Sequence, residues 1–197
     1  MSLFLRNYHF PLLLAALILL FAVLEPVSGQ WLRFDRAAMD QGEWWRFLTA
    51  HWVHLSWPHA LGNLGGLALF AYISGRQSSQ WMMPGYCLFS CLMISAGLYF
   101  FAPDLNFYVG LSGVLHGLLL VGMVRSPYYT APVRWGFVLI VVAKVIWEQT
   151  GFYDDQALSG YIGGRVETRA HLLGSLSAFC WLVAGLIRNR IKDKGHG

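Results

Sequence analysis

Five stretches of 18 or more residues in this chain contain no Asp, Glu, Lys or Arg: residues 7–24, 47–75, 77–103, 105–124 and 170–187. A helix needs about 20 apolar residues to cross the roughly 30 Å hydrocarbon of a bilayer, and in that medium every backbone polar group must find its partner within the protein. A sixth apolar stretch, 131–150, has Arg134 near its start and Lys144 and Glu148 inside it. Arg134 can snorkel to the interface, and Lys144 and Glu148, four apart, can pair on one helix face. The expected fold is an all-α membrane protein with six spans, near 9–27, 57–75, 82–101, 112–126, 131–150 and 169–188, forming one membrane domain over 1–197. Arg6, a short apolar core and "VSG" at 27–29 also loosely fit a signal peptide, whose removal would not change the orientation of the rest.

Composition agrees: 56% of the 197 residues are hydrophobic and 12% are charged, against about 25% charged in soluble domains. Cys87, Cys91 and Cys180 lie in apolar stretches without paired spacing, which argues against a disulfide framework or zinc site and for small buried hydrophobes. The net charge of +4 does not call for a nucleic-acid partner, and its distribution says more. With six spans, one side holds the termini with Arg6, Arg76, Arg125, Arg134, Arg188, Arg190, Lys192 and Lys194. The other side holds Arg33, Arg36, Arg46, Arg165 and Arg169. Positive residues accumulate on the cytoplasmic side, so both termini are expected in the cytoplasm. The basic stretch 188–195 is read as an anchor at the anionic leaflet.

Even-numbered spans then begin at one level in the outer leaflet, and they begin with His59 and Asn63, with Ser112 and His116, and with His171. Intramembrane ionisable residues are costly and point to function. From Ser112 to Pro127 the fourth span has about four turns, or about 22 Å at 1.5 Å per residue, short of the hydrocarbon thickness. The preceding loop, "APDLNFYVGL" at 102–111, is therefore expected to dip into the membrane and to set Ser112 at a submerged helix N-terminus with free N–H groups. Gly113 and Gly117 on the fourth span, and Gly174, Ser175, Ala178 and Gly185 on the face of His171, make small-residue faces that let helices approach closely. A Ser112–His171 hydrogen bond becomes feasible, as a nucleophile and its base require. Singly, each feature has a plainer reading. A G-x-S-G is commonly a packing motif, and a serine hydroxyl commonly bonds to its own helix. His59 and Asn63 can be a structural polar pair, and a buried histidine can simply bridge helices.

Taken together the motifs resemble the rhomboid family of intramembrane serine proteases over most of the chain. "EWWR" at 43–46 resembles the family's Trp-Arg signature, and "HWVHLSWPHALGN" at 51–63 carries its His-x-x-x-Asn as His59 and Asn63. "GLSG" at 110–113 resembles the nucleophile motif, with Gly110 and Gly113 flanking the serine, and "AHLLG" at 170–174 the base motif, ending on Gly174. The short length, "GLSGVLHG" at 110–117 and "KVIWEQ" at 144–149 further resemble the rhombosortase branch.

The resemblance implies a six-helix rhomboid-like bundle with a short, submerged fourth helix. It implies Ser112 as nucleophile and His171 as base, a dyad without an acid, with His59, Asn63 and the Ser112 N–H as oxyanion hole. No cofactor or metal is implied. The implied partners are the bilayer and single-span substrates of exported origin carrying a C-terminal Gly-Gly, a hydrophobic helix and a basic tail. The implied home is the bacterial inner membrane, with the active site opening to the periplasm. His116 stands where many rhomboids have a tyrosine that packs on the catalytic histidine, and a supporting role is expected, with stacking, hydrogen bonding or competition as base all open. Glu167, one turn before His171, can orient it, although a solvated loop-end carboxylate is the plainer reading. His51 and His54 lack evident co-ligands and are expected to seat the Trp-rich loop at the interface or to keep water near the site. Trp31, Trp44, Trp45, Trp52 and Trp57 are read as an interfacial belt. Two rivals remain at this level: a catalytically inactive rhomboid-like protein that binds membrane helices, and a channel or transporter built on the Lys144–Glu148 pair.

Overall fold

The computed structural model describes residues 3–79 and 82–194. Gly195, the end of the basic stretch 188–195, lies outside them. In chain order the elements are α1 (Leu3–Val23), α2 (Val27–Leu32), β1 (Phe34–Asp35), α3 (Arg36–Asp40), α4 (Arg46–Thr49), α5 (Trp57–Ser74), α6 (Met82–Phe101), β2 (Phe107–Tyr108), α7 (Ser112–Arg125), α8 (Ala131–Glu148), α9 (Gln156–Ile162) and α10 (Thr168–Lys194). Each of the six apolar segments read from the sequence thus contains a helix. Three of these, α1, α6 and α10, are long and apolar enough to cross a membrane, and α7 is a shorter apolar helix.

Local signals set the helix ends. Ser56 caps α5 by accepting from the His59 N–H at 3.3 Å, with Pro58 in the first turn, where its missing N–H costs nothing. Pro132 starts α8 in the same way. α7 ends at Ser126, whose hydroxyl donates to Ile73 O at 3.0 Å and ties this end to the end of α5.

The core runs along α7, which packs against α5, α6, α8 and α10. Its Val114, Leu118 and Val121, and Leu111 just before it, are fully buried. The contact with α10 is backbone to backbone. A Cβ on Gly113 would lie 2.7 Å from Ala170 O, and one on Gly117 would lie 2.6 Å from Gly174 O. A Cβ on Gly174 would collide with Gly113 O. Small residues are what permit this approach.

Between α1 and α5 the chain folds into a compact polar unit. The Arg36 guanidinium donates to four carbonyls at the end of α6 and beyond it: Leu98 O at 3.0 Å, Tyr99 O at 2.8 Å, Ala102 O at 2.8 Å and Leu105 O at 2.9 Å. Tyr99 O is among the last four carbonyls of α6, which lack an intrahelical donor, and the cation adds charge-assisted bonds to it and to its three neighbours. Buried Arg46 bridges Glu43 to Arg33 O and Gln30 O. Trp31, Trp44, Trp45 and Trp57 are exposed around this unit, while Trp52 packs against the core. His51 corrects the expectation of an interfacial or water-holding residue. It is fully buried and bonds through Nε2 to Cys91 O at 3.1 Å and Ser95 Oγ at 3.0 Å, pinning the unit to α6. Cys87 and Cys91 are buried as expected, but Cys180 is exposed on α10. Its helix turns that face outward.

Gly174→Ala is expected to cost about 1–3 kcal/mol as an overpacking change, read as a lower unfolding midpoint in detergent. Gly136→Ala, on α8 with no atom within 4 Å of the added Cβ, is expected to leave the midpoint unchanged or slightly raised.

Candidate active site

Ser112 is the first residue of α7. The helix closes its first backbone bond from Leu115 N to Leu111 O at 2.9 Å. The N–H groups of Ser112, Gly113 and Val114 therefore stand outside the intrahelical ladder, at the positive end of the helix dipole. The loop that delivers the serine is held from several directions. Phe34 pairs with Tyr108 and Asp35 with Phe107 in the β1–β2 ribbon. Gly110 N donates to Ala50 O at 3.0 Å, and the Tyr108 hydroxyl donates to Gly110 O at 2.8 Å. Gly110 has φ +116°, a backbone state open to glycine at little cost.

His171, in the first turn of α10, places Nε2 at 2.9 Å from Ser112 Oγ. Its Nδ1 lies 2.9 Å from Glu148 Oε2. Glu148 is the last residue of α8, with its side chain only 2% exposed. This corrects the expected dyad without an acid, since a carboxylate stands behind the histidine. It is not Glu167, which forks onto Arg169 at 2.7 and 2.9 Å. Arg169 also pairs with Asp104 at 2.7 Å and so fastens the start of α10 to the loop after α6. That contact holds the Asp104 carboxyl below the usual carboxylate range.

His116, one turn after the serine, stacks on His171 with ring centroids 4.2 Å apart and planes 24° apart. Its Nδ1 donates to Ser112 O at 2.8 Å, and its Nε2 lies 3.1 Å from Lys144 Nζ. Lys144 in turn pairs with Glu148. Of the three arrangements left open for His116, the geometry brings out stacking and hydrogen bonding. Neither of its nitrogens is among the bonds to Ser112 Oγ.

His59 and Asn63 share a face of α5 on the other side of the serine. A Cβ at position 110 would sit 2.8 Å from His59 Cε1 and 2.9 Å from its Nε2, so Gly110 is what lets the imidazole lie over the loop. Leu55 N–H can only donate and lies 3.4 Å from His59 Nδ1; Nδ1 is therefore the acceptor, and the ring proton sits on Nε2. Asn63 Nδ2 gives one proton to His59 O at 3.0 Å, and its second is free for a ligand. Behind His59, His54 packs edge-on with centroids 5.0 Å apart. Burial, with the neighbouring His59 as second cause, pushes His54 down to about 3, and burial pushes His51 down to about 4. Both are neutral at physiological pH.

Ser112, His171, His116, His59 and Asn63 all line one cavity of about 970 Å³, which residues of α9 and residues 164–169 also line. It is large enough for an extended peptide segment. One nitrogen or oxygen each from His116, Glu148 and His171 falls within 4.8 Å of the others, the spacing of a metal site. The Lys144 ammonium, bonded to both His116 and Glu148, already meets the need for a cation there. Sequence reasoning found the serine, both flanking histidines and the asparagine, but missed Glu148 and Lys144 as members of the site. The signal was present: two opposite charges inside an otherwise apolar stretch, where only a buried partner justifies them.

A rhomboid domain model matches residues 41–188. No curated protein matches the chain.

Gly110→Ala strains a left-handed position and drives a Cβ into His59. It is expected to slow covalent labelling of Ser112 by a fluorophosphonate about 10²- to 10³-fold, the scale of one lost oxyanion donor, with the unfolding midpoint little changed.

Proposed function

The chain belongs to the rhomboid family, whose members are serine intramembrane proteases, and from that premise we propose that it cuts peptide bonds with Ser112 as nucleophile and His171 as general base. The observation that carries this reading is the 2.9 Å approach of Ser112 Oγ to His171 Nε2. Ser112 Oγ bonds to the scissile carbonyl carbon as its proton passes to His171 Nε2. His171 then returns that proton to the leaving amine as the C–N bond breaks. Water, activated by the same histidine, releases the acyl group from the serine. The oxyanion is met by the Ser112 N–H, the second Asn63 Nδ2 proton and His59 Nε2–H. Gly110, Gly113 and Gly174 let these groups converge, and His116 supports the base. No cofactor takes part.

The protein is read as one membrane domain over 1–197, with α1, α5, α6, α7, α8 and α10 as six spans in the bacterial inner membrane. Both termini face the cytoplasm. α7, at about 21 Å for 14 residues, is submerged, with Ser112 below the periplasmic surface. Within the family the chain is assigned to the rhombosortase branch. Its substrates are exported proteins held by a C-terminal hydrophobic helix with a basic tail after a Gly-Gly. Glycine is a poor helix interior residue, so a Gly-Gly bond can extend into the cavity.

Fluorophosphonate labelling in detergent, with an active rhomboid as control, tests the chemistry. Label lost in Ser112→Ala and His171→Ala but kept in His116→Ala supports the assignment. Loss in Ser112→Ala and His116→Ala with retention in His171→Ala would move the base to His116. An unlabelled wild type beside a labelled control would favour the inactive, helix-binding alternative. Asn63→Ala is expected to lower the rate of cleavage of a Gly-Gly reporter by about 10²- to 10³-fold. Replacing the reporter's Gly-Gly by Leu-Leu is expected to abolish cleavage.

A further inference from the structure

We infer that Glu148 is the positioning acid of His171, so that this rhomboid works with a Ser–His–Glu triad in place of a dyad, and that Lys144 is the cation that holds the acid in place. The inference rests on the protease reading above.

The donors and acceptors fix every proton in the group. Ser112 O can only accept, so His116 Nδ1 carries a proton and donates it at 2.8 Å. The Lys144 ammonium can only donate, so His116 Nε2, 3.1 Å from Nζ, is bare. His116 is therefore a neutral imidazole whose one lone pair is already taken, which removes it as a base. Lys144 gives another proton to Glu148 Oε1. That leaves Oε2 as an anionic acceptor 2.9 Å from His171 Nδ1, which must then bear the proton. His171 Nε2 is consequently bare and faces Ser112 Oγ, the tautomer a general base requires. The network starts at the backbone carbonyl of residue 112 and returns to its hydroxyl, with each donor matched to one acceptor.

During acylation the Oγ proton moves to Nε2 and His171 becomes an imidazolium. Glu148 remains ionised and faces that charge, while the ring stacked on the other side is neutral. Lys144 balances the carboxylate in the resting state, when His171 is neutral. A buried carboxylate without such a partner would be costly. It would then favour its protonated form, which could not serve as the anionic acceptor at Nδ1.

The test uses the full chain in detergent, labelled with ¹⁵N-histidine, with the His171 signals assigned by their loss in His171→Ala. The wild type is expected to show His171 protonated on Nδ1. In Glu148→Gln, where the amide can donate to Nδ1, the Nε2–H tautomer should appear. In the same variant kcat on a Gly-Gly reporter should fall about 10³- to 10⁴-fold, the scale on which a serine protease responds to the wrong tautomer. KM should stay within about threefold, and Glu148→Asp should recover part of the rate. A wild-type His171 protonated on Nε2 would overturn the inference even if no variant folds, and so would a Glu148→Gln enzyme within about threefold of wild-type kcat. If the wild type cuts nothing yet keeps the Nδ1–H tautomer until Glu148 is changed, the protease reading fails and the positioning of His171 by Glu148 stands.

Discussion

The site depends on one backbone contact, the approach of α7 to α10 across Gly113, Gly117, Ala170 and Gly174. No side chain separates the helices there, and the carbonyl of Gly113 occupies the space a Cβ on Gly174 would need. Helices in a bilayer gain little from burying apolar surface against each other, so shape and close packing must set their spacing. That spacing is what puts His171 within hydrogen-bond reach of Ser112, since each is in the first turn of its helix. The Ser112–His171 distance is inherited from the glycine contact and would be lost with it.

A second constraint is polar and lies at the other end of the serine's loop. Residues 102–111 form mostly irregular backbone, and such backbone is tolerable near hydrocarbon only when the protein satisfies it. Arg36 answers the carbonyls of Leu98, Tyr99, Ala102 and Leu105, the β1–β2 ribbon takes residues 107 and 108, and Ala50 O takes the N–H of Gly110. His51 and Ser95 lock the same unit onto α6. The first loop is thus a polar wedge that holds both His59 and the serine loop in place. Ser56 continues the wedge outward by donating to Ile162 O at 2.6 Å, which joins the start of α5 to α9 over the cavity.

The sequence carried the apolar segments, the serine, both of its flanking histidines and the small-residue faces, because each follows from local chemistry and helical period. It offered Glu167 as a possible partner of His171 for the same reason, although the loop-end carboxylate was the plainer reading. One turn before His171 is the right offset along a helix, but Glu167 precedes the helix and is claimed by Arg169, which no spacing rule anticipates. Glu148 was hidden because its partner lies 23 positions away and is reached only when the end of α8 meets the start of α10. Lys144 and Glu148 were read as able to pair on one helix face, and they do, but nothing in their spacing pointed to His171. The second oxygen of Glu148 had somewhere else to go. His51 likewise gave no local sign that it would turn inward toward Cys91 O and Ser95 rather than outward to the interface.

The placement of an ion pair beside a serine and two histidines has a physical logic that depends on where it sits. An isolated carboxylate behind His171 would hold the imidazole in the right tautomer, but in a medium of low dielectric it would also be driven to take up a proton. A cation beside it keeps it ionised, yet a cation touching His171 directly would oppose the imidazolium that forms during acylation. Lys144 avoids this by reaching Glu148 from the side away from His171 Nδ1, spending its other contact on His116. His116, fixed as neutral by that contact and by Ser112 O, is the ring against which the imidazolium is stacked. A tyrosine at this position would offer a face and one hydroxyl, but not the separate donor and acceptor nitrogens by which His116 joins Ser112 O to Lys144. His116, Lys144 and Glu148 therefore form one unit, in which each gives the next a hydrogen-bond partner.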